Sequence, residues 1–440
     1  MRAAVAAALR AAGLGGSCVA VALSGGRDST ALVDAAAAVR GETRIALVAF
    51  HVHHGLSPHA DRWAEACGTL CAALEVPLEV RRVEVARGPR TSVEAAARDA
   101  RYEALAGLAR AHAAGAVLLA HHADDQAETV LLQLARGAGP RGLAAMPASA
   151  VERGVHWVRP LIGLPRAAID AYVAVRGLGY VDDDSNAHSR YRRNALRAGV
   201  VPALRPIAPG YPFTLARAAR LQADAAALLD DLAAIDARSA CDGASLARSA
   251  LRTLEPRRAA NLLRWFLRER GLPAPPAARL AEMLRQLVCA GDDAQVRLAH
   301  AGCELGIHRG RIVVHRPQPA SWAQVWSGAD AVELPHGTLR FAPAAGDGIA
   351  VRLLEASRVT IRPGEPGERL RLAGRPRRPV ADLLREAAVP SWERPARPRV
   401  YCDGALAAVA GIGVDAAFCA AAGEAARRLE WRPAADRPLC

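Results

Sequence analysis

Over roughly the first 180 residues, short apolar runs alternate with longer segments whose apolar residues recur every three or four positions. The short runs predict strands and the longer segments predict helices. Strands and helices that alternate at these lengths indicate an α/β fold with a doubly wound, Rossmann-like parallel sheet. Strands are predicted over 19–23, 45–52, 78–85 and 117–120, and helices over 1–12, 58–74 and 92–113, with others beginning at Asp28 and near 121 and one ending near Arg176.

The pattern changes after a proline-rich stretch that includes Pro206 and Pro212. Helical spacing prevails from 211 to about 290 and ends with a strand over 311–315, while 317–326 has the composition of a linker. The remainder predicts a small mixed domain, with strands over 351–354, 359–362 and 399–402 and a helix over 381–386. We therefore expect three domains: an α/β domain over 1–210, a mainly helical domain over 211–316 and an α+β domain over 327–440.

The charge balance of the chain bears on its partners. The 440 residues carry a formal net charge of +13, and all 57 lysine-plus-arginine positions are arginine. A strongly basic balance predicts a polyanionic partner, with nucleic acid the leading candidate, and arginine can bind phosphate at two points. No apolar stretch reaches membrane-spanning length, and the N-terminus lacks the long apolar centre of a signal peptide. We therefore expect a cytoplasmic protein that does not contact membranes.

The stretch Ser24-Gly25-Gly26-Arg27-Asp28-Ser29 lies between a predicted strand and a predicted helix. Its glycines permit a sharp turn that brings backbone N–H groups close to an anion, and the helix N-terminus favours phosphate. A carboxylate beside a phosphate is expected mainly as a ligand of a divalent cation, so Asp28 is the predicted metal residue. An ordinary turn capped by Asp28 or Ser29 is the alternative. The stretch matches neither the Walker A loop nor the dinucleotide fingerprint.

A second polar segment, His121-His122-Ala123-Asp124-Asp125-Gln126-Ala127-Glu128-Thr129, follows the fourth predicted strand. Helix capping alone would explain an acid there, but Asp125 and Glu128 are three apart and share one side of a helix. Such a pair can bind a cation or accept hydrogen bonds from the amino group of cytosine. A His/Asp metal site is the weaker reading, because the spacing is not one that zinc sites use. The second predicted strand ends in His51-Val52-His53-His54, so all three clusters should meet at the carboxyl edge of the sheet.

Several motifs occur along the chain in a fixed order, and together they resemble a known family. The first loop resembles the Ser-Gly-Gly-x-Asp-Ser loop of the PP-loop ATP pyrophosphatase superfamily. The ordered set resembles the tRNA(Ile)-lysidine synthetases of that superfamily, through about the first two hundred residues. The motifs after the loop are His53-His54-Gly55-Leu56, the segment 121–129, Arg136-Gly137-Ala138-Gly139-Pro140-Arg141-Gly142-Leu143-Ala144-Ala145-Met146, Arg159-Pro160-Leu161, and Arg193-Asn194 with Arg197 and Pro202.

The resemblance implies a ligase that uses ATP and Mg²⁺. In this family, ATP activates C2 of the wobble cytidine of CAU-anticodon tRNA(Ile) as an adenylate and releases pyrophosphate. Free L-lysine then displaces AMP to give lysidine, which changes codon reading from AUG to AUA. By this resemblance His53 would lie near the adenosine, and Asp28, Asp125, Glu128 and Arg193 would be catalytic. The phosphates and Mg²⁺ would be held by Ser24, Gly25, Gly26, Arg27, Asp28 and Ser29.

The chain departs from the family pattern in places, and other functions stay open. A loop at 183–186 carries an extra acid, and the basic stretch with Arg375, Arg377 and Arg378 is expected to contact tRNA phosphates. Arg193 lies with Arg192 and Arg197 on what could instead be a solvated helix face. The alternatives are a small-molecule ATP-pyrophosphatase ligase, a PP-loop tRNA thiolase or a catalytically silent tRNA-binding protein. The oligomeric state is open, with a homodimer as one candidate.

Overall fold

The computed structural model describes residues 1–55, 57–84, 93–181, 192–291, 296–319 and 321–434. The chain divides into two compact units, Met1–Leu228 and Leu229–Cys440. The predicted loop at 183–186, and residues 56, 85 and 92 of the predicted motifs and elements, lie outside the described residues. The three-domain division inferred from the sequence stays a prediction.

The first unit is built on a six-stranded sheet with the strand order β3-β2-β1-β4-β6-β5. Neighbouring strands from β3 to β6 run parallel, and β5 pairs antiparallel with β6 at one edge. The predicted α/β class and doubly wound sheet are confirmed, while the β5–β6 hairpin was not predicted. The strands are β1 (Cys18–Ala22), β2 (Ala46–His53), β3 (Leu78–Arg82), β4 (Ala116–Leu118), β5 (Ser149–Glu152) and β6 (Val155–Val158).

Helices cover both faces of this sheet. The helices that begin in this unit are α1 (Arg2–Ala11), α2 (Arg27–Thr43), α3 (Ala60–Ala73), α4 (Val93–Ala111), α5 (Ala123–Leu134), α6 (Pro140–Leu143), α7 (Arg166–Arg176), α8 (Arg192–Ala195), α9 (Val201–Ile207) and α10 (Tyr211–Ala240), with a π-helical turn at Leu196–Val200. The last of them, α10, continues past Leu228, where the first unit ends. Val19 and Val21 of β1 pack into a core that α1, α2, α3 and α7 share, whereas Ala20 packs with α4 on the other face. Burial on both faces explains why the central strands read as continuous apolar runs.

After the end of α10, the described part of the second unit contains an antiparallel sheet packed against helices. Its strands are β7 (Cys241–Asp242), β8 (Ser245–Ala247), β9 (Arg297–His300), β10 (Cys303–His308) and β11 (Arg311–His315), in the order β7-β8-β11-β10-β9. The helices are α11 (Arg248–Thr253), α12 (Pro256–Arg268) and α13 (Ala277–Cys289). The helices and the strand at β11 were predicted, but the rest of this sheet was not. Leu262, Phe266 and Met283 lie in its core and are fully buried.

In the described residues from 316 to 434, the second unit continues with short strands and two helices. The strands are β12 (Gln324–Val325), β13 (Ala331–Leu334), β14 (Gly337–Ala345), β15 (Ile349–Ala350), β16 (Val359–Arg362), β17 (Arg369–Leu370), β18 (Arg378–Pro379), β19 (Arg399–Cys402), β20 (Ala405–Val409), β21 (Gly413–Val414) and β22 (Ala425–Pro433). The helices are α14 (Val351–Ala356) and α15 (Val380–Glu386). The strands predicted over 359–362 and 399–402 and the helix over 381–386 are confirmed. The strand predicted over 351–354 is wrong, because α14 occupies it, and β12 lies within the predicted linker.

Pairing among these strands forms two larger sheets and one small one. Their strand orders are β12-β16-β19-β20-β21, β13-β14-β22-β15 and β17-β18. Among the described residues, no helix combines the length and the apolar character that crossing a membrane requires.

Candidate active site

The turn between β1 and α2 is closed by its own side chains. The Ser24 and Ser29 hydroxyls lie 3.0 Å apart, and the Ser29 hydroxyl donates to the Gly26 carbonyl at 2.9 Å. Gly25 has φ of +85°, a left-handed conformation that favours glycine, and α2 begins at Arg27 directly after Gly26. The predicted strand–glycine turn–helix arrangement is therefore present, with the helix N-terminus next to the turn, as an anion site requires.

Close packing restricts the glycine turn from outside. A β-carbon on Gly25 would lie 3.2 Å from the Cys67 sulfur and 3.8 Å from the Val181 side chain. The Val181 N–H donates to the Gly25 carbonyl at 2.9 Å. Any other residue at position 25 would be strained by the left-handed backbone conformation and its β-carbon would crowd the Cys67 sulfur, so the turn depends on glycine there.

His122 brings Asp28 and Asp125 together at the carboxyl ends of β1 and β4. Its Nε2 lies 3.7 Å from the Asp28 Oδ2 and 3.5 Å from the Asp125 Oδ2, and its side chain is 2% exposed. The Asp125 Oδ2 also accepts from the His122 backbone N–H at 3.1 Å, which caps α5. Asp125 therefore caps α5, as the capping alternative predicts, and the first loop and the segment 121–129 meet at this edge, as expected.

Arg197 bridges the acidic pair of α5, and Arg193 contacts Glu128 beside it. Arg197 Nε donates to Glu128 Oε1 at 2.5 Å, and its Nη2 donates to Asp125 Oδ1 at 3.1 Å. Arg193 Nε lies 3.2 Å from Glu128 Oε2, and its Nη2 donates to the Thr129 hydroxyl at 2.9 Å. Asp125 and Glu128 therefore share one side of α5, and the predicted Arg193 of α8 lies against that side.

Burial and nearby charges together shift the pKa values of the carboxyl groups in this cluster. Burial raises the pKa of Asp28, with Asp125 adding to the rise and His122 opposing it. Burial likewise raises the pKa of Glu128, although its bond to Arg197 works against the rise. Burial also opposes ionisation of Asp125, but the nearby histidines and Arg193 leave its pKa below the ordinary value. A cation that approaches Asp28 would favour the ionised carboxylate.

Asp28 suits the predicted magnesium ion in one respect. Its Oδ1 is buried and has no hydrogen-bond partner among the described residues. No group of three or more His, Cys, Asp or Glu side chains in the described ranges is placed to hold a metal by itself. Magnesium commonly uses one or two carboxylates together with substrate phosphates and water, so a single available carboxylate beside a phosphate loop fits that ion.

A second group of half-buried basic residues lies next to the acidic cluster. Burial lowers the pKa of His121 to about 3 and that of His54 to about 4, and the charge on Arg101 adds to both shifts. Burial also lowers the pKa of Arg101, which lies near Arg98 and Arg193. Both histidines are therefore neutral near pH 7 and leave their ring nitrogens available for neutral hydrogen bonds.

His53 and Arg27, which were also predicted to bind the nucleotide, each lie against an acidic side chain. His53 Nε2 lies 3.2 Å from Asp61 Oδ1 at the end of β2. The Arg27 guanidinium pairs with Asp170 on α7, with Nη1 and Oδ1 2.5 Å apart. Their roles in nucleotide binding stay predictions. Asp124 accepts from the Arg166 N–H at 2.8 Å and so caps α7.

The sequence did not identify Arg197 or His122 as site residues, although both connect residues that it did identify. A signal for Arg197 was present, since it lies four positions after Arg193 on a predicted helix and would share its side. Arg375 and Arg377 of the second unit are exposed, whereas Arg378 pairs with Glu386 at 2.6 Å.

Comparison with protein families identifies three consecutive regions of the chain. A model described as the PP-loop domain matches residues 3–204. A model described as the TilS substrate binding domain matches residues 246–313, and the TilS substrate C-terminal domain matches residues 359–431.

Curated relatives match over nearly the full length. The tRNA(Ile)-lysidine synthase of Azoarcus sp. (strain BH72) is 42% identical over 97% of this chain and 94% of its own length. The protein of the same name from Chromobacterium violaceum is 45% identical over 94% of this chain and 95% of its own. That from Burkholderia pseudomallei is 41% identical over 94% and 93%. With a closed glycine turn beside an acidic pair and similarity that runs through all three regions, the chain belongs to the tRNA(Ile)-lysidine synthase family.

Proposed function

We propose that this chain joins free L-lysine to C2 of the wobble cytidine of CAU-anticodon tRNA(Ile) at the expense of ATP. One observation carries the proposal: Asp28 of the glycine turn and Asp125 of the acidic pair lie on the same buried His122. A triphosphate on the turn and a base at the acidic pair would therefore be neighbours. Such proximity is what transfer of an adenylyl group from ATP to a base requires.

The glycine turn and Asp28 would hold the triphosphate. Backbone N–H groups at the start of α2 would bind the phosphates, and Asp28 would hold Mg²⁺ through the carboxylate oxygen that lacks a protein partner. Magnesium, when bound, compensates the charge that develops on the leaving pyrophosphate. Ser24 and Ser29 would keep the turn closed around the phosphates through the contact between their hydroxyls.

Asp125, Glu128 and Arg193 would act on the cytidine. A carboxylate of the pair would accept from the exocyclic amino group of the base, and Arg193 would stabilise the adenylate phosphate. In the first step an oxygen on C2 of the base bonds to the α-phosphorus and pyrophosphate leaves. In the second step the lysine ε-amine bonds to C2, AMP leaves, and the amine gives up its extra proton. Arg197 would keep both carboxylates ionised through its contacts with them.

The regions after the PP-loop domain would bind the tRNA. The predicted domains over 211–316 and 327–440 contain the two matched substrate-domain regions. Exposed arginines such as Arg375 and Arg377 suit phosphate contacts that position RNA without reading its sequence. We place the protein in the cytoplasm, where tRNA, ATP and lysine meet, and keep a homodimer as the candidate assembly.

Incorporation of labelled lysine tests the proposal directly. The protein would be incubated with ATP, Mg²⁺, radiolabelled L-lysine and a tRNA(Ile) transcript that bears CAU. Label should enter the tRNA only with ATP, and a matched transcript with uridine at the wobble position should stay unlabelled. Pyrophosphate release to another acceptor, without label in tRNA, would point to a different PP-loop ligase or thiolase. Tight tRNA binding without pyrophosphate release would point to a catalytically silent binder.

Two sets of variants separate catalysis from RNA binding. Asp28→Ala should abolish adenylate formation and leave tRNA affinity nearly unchanged, because the carboxylate serves the nucleotide. Joint replacement of Arg375, Arg377 and Arg378 by alanine should weaken tRNA binding and reduce its dependence on salt, because fewer counterions are released. Equal losses of both activities in Asp28→Ala, or an unchanged salt slope in the triple variant, would contradict these roles.

A further inference from the structure

Arg27 occupies the variable position of the glycine turn, yet its side chain contacts α7 and the segment that follows α7. Its Nη1 lies 2.5 Å from Asp170 Oδ1 on α7, and its guanidinium lies 5.0 Å from the centre of the Tyr180 ring. The side chain is 23% exposed. Its charge is therefore compensated by a carboxylate before any ligand arrives.

A second, buried contact fastens the same helix to α2. Asp34 is 1% exposed and accepts from the Tyr172 hydroxyl at 2.6 Å. Arg176 donates to both of its oxygens, from Nε at 3.1 Å and from Nη2 at 3.0 Å. Helix α7 is thus tied to α2 at two places, at Arg27 and two turns further along at Asp34.

The chain that leaves α7 returns directly to the glycine turn. Gly177 ends α7 in the left-handed conformation, and four residues later the Val181 N–H donates to the Gly25 carbonyl at 2.9 Å. The Val181 side chain also packs close to Gly25, since a β-carbon on Gly25 would lie 3.8 Å from it. The position of α7 therefore decides where Val181 meets the turn.

We infer that Arg27 and Asp170 form a positioning pair that holds the Gly25–Gly26 turn in its phosphate-binding shape, and that Arg27 does not itself bind phosphate. The inference rests on the proposed use of ATP. The pair fixes α7 beside the start of α2, and Val181 then fixes Gly25. A turn that is already shaped loses less conformational freedom when the phosphates bind, which strengthens binding without a new contact.

A rival role for Arg27 is a direct phosphate contact. The Arg27 Nε–H has no hydrogen-bond partner among the described residues, and a phosphate oxygen could accept from it. The two roles differ in what Asp170 does. As one half of a positioning pair, Asp170 helps ATP to bind. As a competitor for a phosphate-binding guanidinium, Asp170 hinders it.

Measuring ATP binding directly to the Asp170→Asn and Arg27→Ala variants distinguishes these roles, because they predict opposite changes in the affinity of Asp170→Asn for ATP. We expect both variants to bind ATP about two- to fivefold more weakly, as loss of a half-exposed ion pair predicts. The KM for ATP should rise by the same factor in the lysine-incorporation assay, with kcat at saturating ATP and the KM for tRNA unchanged. Asp170→Glu should restore binding. Asp99→Asn, which removes an exposed ion pair with Arg153, is the matched control.

The outcomes divide cleanly. Tighter ATP binding by Asp170→Asn, with weaker binding by Arg27→Ala, would overturn the inference and make Arg27 a phosphate ligand. Unchanged ATP binding in both variants would also overturn it. If Arg27→Ala does not fold, the Asp170→Asn and Asp170→Glu pair still decides the sign. Wild-type protein that binds ATP but incorporates no lysine would refute the proposed function and leave this binding comparison intact.

Discussion

Replacing Arg197 by alanine should expose how much the acidic pair depends on one guanidinium. Arg197 contacts Glu128 at 2.5 Å and Asp125 at 3.1 Å, and these two residues are only 4% and 8% exposed. At an effective dielectric constant of about 20, the two contacts correspond to roughly 5–7 kcal/mol of attraction each, most of which offsets the cost of burying the charges. Removing one partner of a buried pair typically costs about 3–5 kcal/mol.

The expected loss lies below that range, for two structural reasons. Arg197 is itself 32% exposed, and Arg193, which lies 3.2 Å from Glu128, is left in place by the replacement. We therefore expect Arg197→Ala to lower the free energy of unfolding by about 2–3 kcal/mol and the Tm by roughly 5–10 °C. Lysine incorporation should fall steeply at neutral pH. Arg192→Ala, an exposed neighbour on α8, should change the unfolding free energy by less than about 0.5 kcal/mol.

The pH dependence of this loss gives the decisive measurement. Burial already raises the pKa of Glu128, and loss of Arg197 should raise it further. The folded variant would then bind a proton that the unfolded chain has released, so the deficit is full above the raised pKa and shrinks as the pH falls through it. Chemical denaturation of both proteins between pH 4 and about pH 8 measures this. An equal deficit at both ends would refute the reasoning.

Three further replacements test other parts of the structure. Asp28→Asn should abolish activity but raise the unfolding free energy by up to about 1 kcal/mol at pH 7, because burial raises the pKa of Asp28 and its ionised form opposes folding. This gain in stability should vanish below about pH 4, where the wild-type carboxyl is protonated in both states. Asp34→Asn should cost about 2–3 kcal/mol at pH 7. Burial alone would raise the pKa of Asp34, but its bonds from Arg176 and Tyr172 lower it, so the wild type should lose this stability as the pH falls through the lowered pKa and the variant should not. Gly306→Ala should cost about 1–3 kcal/mol in thermal denaturation, because its β-carbon would lie 2.4 Å from the Trp392 ring. Each argument has an outcome that would contradict it: a Gly306→Ala variant more stable than the wild type, an Asp34→Asn variant that loses stability in acid as the wild type does, or an Asp28→Asn variant less stable than the wild type at pH 7.

The elements around the site were predictable because their patterns are local. The strand, glycine turn and helix at 24–29 follow from residues within about ten positions of each other, and the structure has β1 and α2 there. The family assignment confirms the ligase class and the resemblance that the ordered motifs carried. By contrast, β5 is a four-residue strand with little burial, so it lacks an alternating pattern. The run over 351–354 is apolar enough for a strand, but a short apolar run does not distinguish a strand from a helix.

The contacts that organise the site join residues that are far apart in the sequence. Arg197 meets Glu128 across 69 positions, and Arg27 meets Asp170 across 143. Helical spacing predicted that Asp125 and Glu128 share one side, but no local pattern specifies which distant guanidinium lies against them. The sequence therefore supplied the chemical groups of the site, and only the fold supplied their pairing.

The two outer strands of the first sheet bear on how copies of this protein could associate. β3 ends in Arg81 and Arg82, and β5 has only four residues, one of them Glu152. Short, charged margins are a common means by which proteins prevent two sheets from joining through their free backbone groups. If a homodimer forms through this unit, we expect its halves to meet through helix surfaces, without a continuous sheet across the two-fold axis.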